Sequence, residues 1–172
     1  MKIATFNING IKARLPRLLE WLEETRPAVA CLQEIKTQDE GFPAADFEAI
    51  GYAAIWHGQK SFNGVAILSK LPLEDVVRGL PGDAADEQAR WIEAVVDAGR
   101  PVRVCGLYLP NGNPSDDPVK YPYKLAWMAR LEAFARDRMA LEEPLIFELG
   151  HPGTCGVDFD GEDAAPGPEN LL

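Results

Sequence analysis

The chain has 172 residues and a formal net charge of −10, with 27 acidic side chains against 17 basic ones. That balance excludes a protein that coats nucleic acid by charge alone. A content of 47% hydrophobic and 26% charged residues excludes a disordered chain and fits one globular domain with a core.

Residues 2–8 read as a strand that ends in the polar run Asn7-Ile8-Asn9-Gly10. Leu15, Leu18, Leu19 and Leu22 then follow at i, i+3, i+4 and i+7, one apolar face of a helix, and Arg26-Pro27 ends it. Ala28 to Leu32 is continuously apolar, as expected of a strand covered on both faces, and it too ends abruptly, in Gln33-Glu34-Ile35-Lys36. Strand, helix, strand predicts a βαβ crossover with parallel strands. Asn7 and Glu34 then lie at the carboxyl ends of neighbouring strands, where open α/β sheets place their ligands. A carboxylate and an amide at such an edge suit a hard divalent cation and a phosphate.

Farther along, residues 42–49 read as a short helix. Tyr52–Trp56 and Gly64–Ser69 read as two strands joined by a polar turn through Gln59, Lys60, Ser61 and Asn63. Residues 80–85 form a Gly/Pro/Asp loop, and 89–96 and 102–109 a hairpin turned at residues 97–100. A polar loop over 110–118 precedes a long helix over about 120–140, whose buried stripe is predicted to be Leu125, Met128, Leu131 and Phe134. One more strand follows over 144–149. From Gly150 onward the pattern gives way to Gly, Pro and acidic residues, and residues 150–172 are expected to be poorly ordered. Half of the net charge falls there, on Asp158, Asp160, Glu162, Asp163 and Glu169.

Cys31 and Cys105 lie inside apolar strands and are expected to be small buried core residues; with Cys155 they make no CxxC pair, which argues against structural zinc. His57 reads as a structural or exposed histidine, and His151 has no triad around it. The run Asp158 to Asp163 resembles a calcium loop only faintly, lacking flanking helices and a twelfth-position Glu. With no apolar run long enough to span a bilayer and no leader ahead of the first strand, the expectation is a cytoplasmic protein without a membrane partner.

Five segments together resemble the exonuclease III branch of the endonuclease/exonuclease/phosphatase family, the bacterial abasic-site endonucleases. They are Thr5-Phe6-Asn7-Ile8-Asn9-Gly10, Leu32-Gln33-Glu34-Ile35-Lys36, Gly64-Val65-Ala66-Ile67-Leu68-Ser69-Lys70, Tyr108-Leu109-Pro110-Asn111-Gly112 and Lys120-Tyr121-Pro122-Tyr123-Lys124-Leu125. The match covers about residues 1–146. Any one segment alone is weak: Asn-Gly pairs mostly mark turns, and a Glu after a strand is usually a solvated end residue. The resemblance implies an α/β fold of two stacked mixed β-sheets flanked by helices, an α/β-β/α sandwich. It implies Glu34 as a Mg²⁺ ligand (Mn²⁺ being the alternative), with catalytic roles for Asn7, Tyr108 and Asn111. Arg90 and Lys36 are implied as substrate-binding residues, Lys36 also tuning Glu34 from beside it. The implied partner is double-stranded DNA with abasic sites or 3′ ends, and the implied state a monomer.

The chain departs from the family after the last strand. Where the family has Gly-Asp-x-Asn, this chain reads Phe147-Glu148-Leu149-Gly150-His151-Pro152-Gly153, and the family's later Ser-Asp-His is absent. Residues 1–149 are therefore expected to form the N-terminal portion of the family's domain, truncated in its C-terminal half, and 150–172 an irregular acidic Gly/Pro-rich tail, with the sequence from about Phe147 onward expected not to be native to the fold. General-base help is worth about 10²–10⁴ in rate, so little turnover is expected. The alternatives are a non-catalytic remnant and a phosphoesterase for small substrates.

Overall fold

The computed structural model describes residues 1–142 and 144–149. β1 (Ile3–Asn7), α1 (Ile11–Thr25) and β2 (Val29–Gln33) form the predicted crossover. α1 ends as expected at Arg26, which turns left-handed and returns its N–H to the carbonyl of Leu22. A single 3₁₀ turn (Asp39–Gly41) and the short α2 (Ala44–Ala49) lead to the antiparallel pair β3 (Ala53–His57) and β4 (Val65–Ser69). The first sheet has the order β1-β2-β4-β3, with β1 and β2 parallel and Asn7 opposite Gln33.

The second sheet comprises β5 (Leu73–Arg78), β6 (Trp91–Asp97), β7 (Pro101–Leu107) and β8 (Leu145–Leu149), in that order, with α3 (Lys120–Ala140) between β7 and β8. β7 and β8 are parallel, a second crossover. Alternation along the strands sorts the side chains into three apolar layers. Ala4, Ala30, Leu32, Ala66 and Leu68 meet Leu18 and Leu22 of α1 and Phe47 of α2. Ile3, Val29, Cys31, Val65 and Ile67 meet Ile92, Val96 and Val104 between the sheets. Trp91, Cys105 and Leu107 meet Trp127 and Phe134 of α3. The result is the expected helix–sheet–sheet–helix sandwich. Both described cysteines are fully buried; Cys155, His151 and the 158–163 run lie outside the described residues, as does the expected irregular tail. Among the described residues no helix is long and apolar enough to cross a membrane.

One expectation is corrected and one strand is added. β5 had no reading in the sequence: it is an edge strand whose Glu74 and Asp75 are exposed, so its burial pattern lacks the usual alternation. The buried face of α3 is also displaced. Trp127 and Phe134 are buried and Leu131 half-buried, whereas Leu125 and Met128 are 49% and 44% exposed. The helix carries two apolar stripes, and the one that captures Trp91 wins. Trp91 packs edge-on against Phe134 at 5.0 Å and Trp127 at 6.4 Å between ring centroids, each such pair adding about 0.5–1.5 kcal/mol beyond area burial.

β8 contributes one half-buried acid. Glu148 shares a face with Ile146, which packs between the sheets, and pairs in register with Gly106. Burial raises its pKa to about 7, from an ordinary value of 4.5. An acid whose folded-state pKa is raised favours folding while protonated. That contribution is fully present below about pH 4.5 and is lost as pH rises through about 7. Glu148→Gln should therefore stabilise the chain at pH 8, by up to about 3 kcal/mol before solvent screening, and leave it nearly unchanged at pH 4.5. Urea midpoints at the two pH values measure this; equal shifts at both would refute it.

Candidate active site

The carboxyl ends of β1 and β2 place two side chains within reach by register alone. Asn7 closes β1 opposite Gln33, and Glu34 follows immediately. The backbone then leaves the sheet through left-handed conformations at Glu34 (φ 54) and Lys36 (φ 50). Backbone bonds to neighbouring segments hold this path: Gly10 N–H to the Glu34 carbonyl at 2.8 Å, Ile35 N–H to the Gly64 carbonyl at 3.2 Å, and Lys36 N–H to the Asn63 carbonyl at 3.1 Å. Gly64 is required there, because a Cβ would lie 2.5 Å from the Ile35 side chain.

Glu34 is the centre of the site. Its Oε1 accepts from Asn7 Nδ2 at 2.6 Å and from the Tyr108 hydroxyl at 2.7 Å. Its Oε2 pairs with the Lys36 ammonium at 2.8 Å. Asn7 is itself oriented by Asn9, whose N–H donates to Asn7 Oδ1 at 3.0 Å. Asn9 Oδ1 accepts from Lys36, and the Asn9 carbonyl from Arg14 at 2.5 Å. Burial of the Glu34 carboxyl acts to raise its pKa, but the hydrogen bonds from Lys36, Asn7 and Tyr108 outweigh it and the net direction is down. The carboxylate is therefore ionised at neutral pH. Tyr108 moves the other way, pushed up to about 12 by burial and by its bond to Glu34. Its phenol stays protonated and can donate.

Four of the six residues singled out from sequence thus converge: Asn7, Glu34, Lys36 and Tyr108. Arg90 joins from the side, its guanidinium 5.0 Å from the centre of the Tyr108 ring. Asn111 is exposed, and its Oδ1 accepts from the Asn113 N–H at 3.0 Å within its own loop. His57 is half-buried with Nδ1 3.3 Å from the Trp91 carbonyl, the structural place expected of it. Asn9 was read from sequence only as half of a turn. The signal that could have found it is the Asn-x-Asn spacing, which points two amides the same way past a strand end.

A model of the endonuclease/exonuclease/phosphatase family matches residues 4–161. The chain belongs to that family. Among curated relatives it is 36% identical over 161 residues to exodeoxyribonuclease III of Haemophilus influenzae, an alignment covering 93% of this chain and 60% of that one. Among solved structures it is similar to a 3′ phosphatase, NExo, from Neisseria bound to its product DNA hairpin, with 42% identity and a TM-score of 0.77, covering 81% of this chain and 53% of that one. An AP endonuclease from Archaeoglobus fulgidus superposes with a TM-score of 0.78 at 39% identity, covering 86% of this chain and 55% of that one. The chain thus spans little more than half the length of the relatives it matches.

Whether the site suits a metal can be judged from its donors. Among the described residues no three His, Cys, Asp or Glu side chains gather, which is unsuitable for zinc. A single ionised carboxylate, bonded by the neutral Asn7 and Tyr108 and paired with the Lys36 ammonium, does suit Mg²⁺, which needs only one or two carboxylates, keeps several waters and shares its shell with substrate phosphate.

Proposed function

We propose that this chain carries the metal-holding half of an exonuclease III-type DNA repair nuclease, one that hydrolyses phosphodiesters in double-stranded DNA at abasic sites and 3′ ends. The observation that carries the reading is the convergence of Asn7, Lys36 and Tyr108 on one ionised Glu34 at the carboxyl ends of β1 and β2. The kinship to the Haemophilus exonuclease and the Archaeoglobus AP endonuclease supports it. Glu34 would hold Mg²⁺ or Mn²⁺, which supplies charge neutralisation at the phosphate when bound. Tyr108 keeps its proton at neutral pH and donates it in a hydrogen bond towards charge developing on the scissile phosphate. Asn7 fixes one Glu34 oxygen, and the other is paired with Lys36. With a cation held by Glu34, the Lys36 ammonium would add positive charge beside the phosphate.

The stretch after β8 reads Leu149-Gly150-His151-Pro152 rather than Gly-Asp-x-Asn. That favours a second reading, a DNA-binding body with little or no turnover. An abasic duplex incubated at high enzyme concentration, with Mg²⁺ and with chelator, separates the two. Metal-dependent nicking at the abasic site is expected from a nuclease. Binding without nicking supports the second reading, and neither binding nor nicking defeats both.

A further inference from the structure

We infer that Arg90 is a positioning residue for Tyr108, holding the phenol on Glu34, rather than a contact to a DNA phosphate. The inference rests on the reading of Tyr108 as the phosphate-facing donor. Arg90 and Tyr108 are cross-strand partners, one step beyond the Trp91–Leu107 pair, and the Tyr108 N–H donates to the Arg90 carbonyl at 2.9 Å. Directly opposed side chains on one sheet pack on each other. Here the guanidinium lies over the phenol ring, the geometry of a cation–π contact.

The edges of the guanidinium are engaged as well. Nε donates to Gln88 Oε1 at 2.6 Å, and Nη1 to the carbonyls of Tyr108 and Leu109 at 3.3 and 3.5 Å. The Tyr123 phenol of α3 lies near Arg90 and donates to Asp86 at 3.1 Å. Asp86 is in turn paired with Arg130. Gln88 Oε1 also accepts from Asn63 Nδ2 at 3.4 Å, in the loop that holds Lys36 in place. Arg90 is thereby a junction of three elements: the 86–90 loop, the 58–64 loop and α3. A guanidinium that grips phosphate presents its N–H fork to solvent. This one turns its face to a ring, its Nε to Gln88 and its Nη1 to backbone carbonyls. Ring and carbonyl together fix the tyrosine at both ends, with Arg90 above the ring and Glu34 at the hydroxyl.

The test compares the full chain with Arg90→Met and Arg90→Lys, using ¹³C-labelled tyrosine rings with the Tyr108 signal assigned through Tyr108→Phe. Arg90→Met should move the Tyr108 ring resonances towards those of exposed Tyr121 and leave buried Tyr52 in place; Arg90→Lys should move them less. Gln88→Leu, which keeps the charge and removes one anchor, should produce a smaller shift in the same direction and serves if Arg90→Met fails to fold. In chelator, the slope of log affinity for an abasic duplex against log salt should be unchanged in Arg90→Met. If the wild-type chain cleaves, its kcat should fall ten- to a hundredfold with KM held. Unmoved Tyr108 resonances overturn the inference. So does a salt slope shallower by about 0.9, the mark of one lost phosphate contact. A wild-type chain that binds no DNA would defeat the nuclease reading instead, and the ring spectra would still decide the role of Arg90.

Discussion

Glu34→Gln should abolish cation binding and reduce any metal-dependent cleavage at least a hundred- to a thousandfold. The substitution preserves size and leaves an oxygen for Asn7 and Tyr108 to bond, so the fold around the strand ends should persist. What it removes is the negative charge. Mg²⁺ and Mn²⁺ demand anionic oxygen, and none of the side chains bonded to Glu34, which are Asn7, Lys36 and Tyr108, is a second acid to replace it. It also strands the Lys36 ammonium, now 2.8 Å from a neutral amide rather than a carboxylate. The half-buried site would then favour anions over cations. Mn²⁺ titration followed by electron paramagnetic resonance reads the effect without requiring turnover. Retained Mn²⁺ affinity in Glu34→Gln would move the metal site elsewhere.

The largest stability effect is expected at the opposite face of the second sheet. Arg103 is 4% exposed and bonds Asp75 at 2.5 Å, while its Nη1 lies 3.7 Å from Glu93 Oε1. Glu93 is fully buried beneath α3, with Oε2 accepting from the Cys105 thiol at 3.6 Å. Burial raises the Glu93 pKa, and Arg103 is the first group opposing that rise. Arg103→Met removes the compensating charge and leaves an acid in an apolar layer, a change that typically costs about 3–5 kcal/mol. The loss should be greatest at alkaline pH. With Arg103 gone the folded-state pKa of Glu93 climbs further, so stability is lost as pH rises through it and recovered in acid, where Glu93 is neutral. Adding Glu93→Leu should restore most of the lost stability, because the double variant buries no charge at all. Urea unfolding of the four chains of this cycle measures the coupling. A single variant costing less than about 1 kcal/mol, or a double variant no better than the single, would show that Glu93 finds its compensation elsewhere.

How much of this could be read from the chain depends on the range of the interaction. Asn7 and Glu34 were legible because each closes an apolar run, and a parallel crossover forces the ends of two such runs together. The β1-α1-β2 crossover followed from a strand buried on both faces, β2, and a helix with one apolar stripe, α1, whereas the two-sheet sandwich was implied only by likeness to the family. Tyr108 meets Glu34 across 74 positions and between two sheets. No local periodicity encodes that meeting, and only likeness to a family pointed to it. β5 escaped because edge strands shed the alternation that marks a strand, and the stripe on α3 was misjudged because two apolar rows compete on that helix. The choice between them was made by Trp91, distant in sequence and too bulky to be housed elsewhere. Arg90 was implied as a substrate-binding residue by the resemblance, and its place against Tyr108 emerges only once β6 and β7 are in register.

The left-handed turn at Glu34 carries its own cost. A side chain in that conformation costs roughly 1–2 kcal/mol that glycine avoids, and Glu34 and Lys36 both adopt it within three residues. Glycine at position 34 relaxes the backbone and at the same time deletes the carboxylate. An inert Glu34→Gly chain should accordingly withstand heating as well as its parent, or better. This corner of the molecule gives up thermal robustness to keep one acidic group held among Asn7, Lys36 and Tyr108 before any substrate approaches.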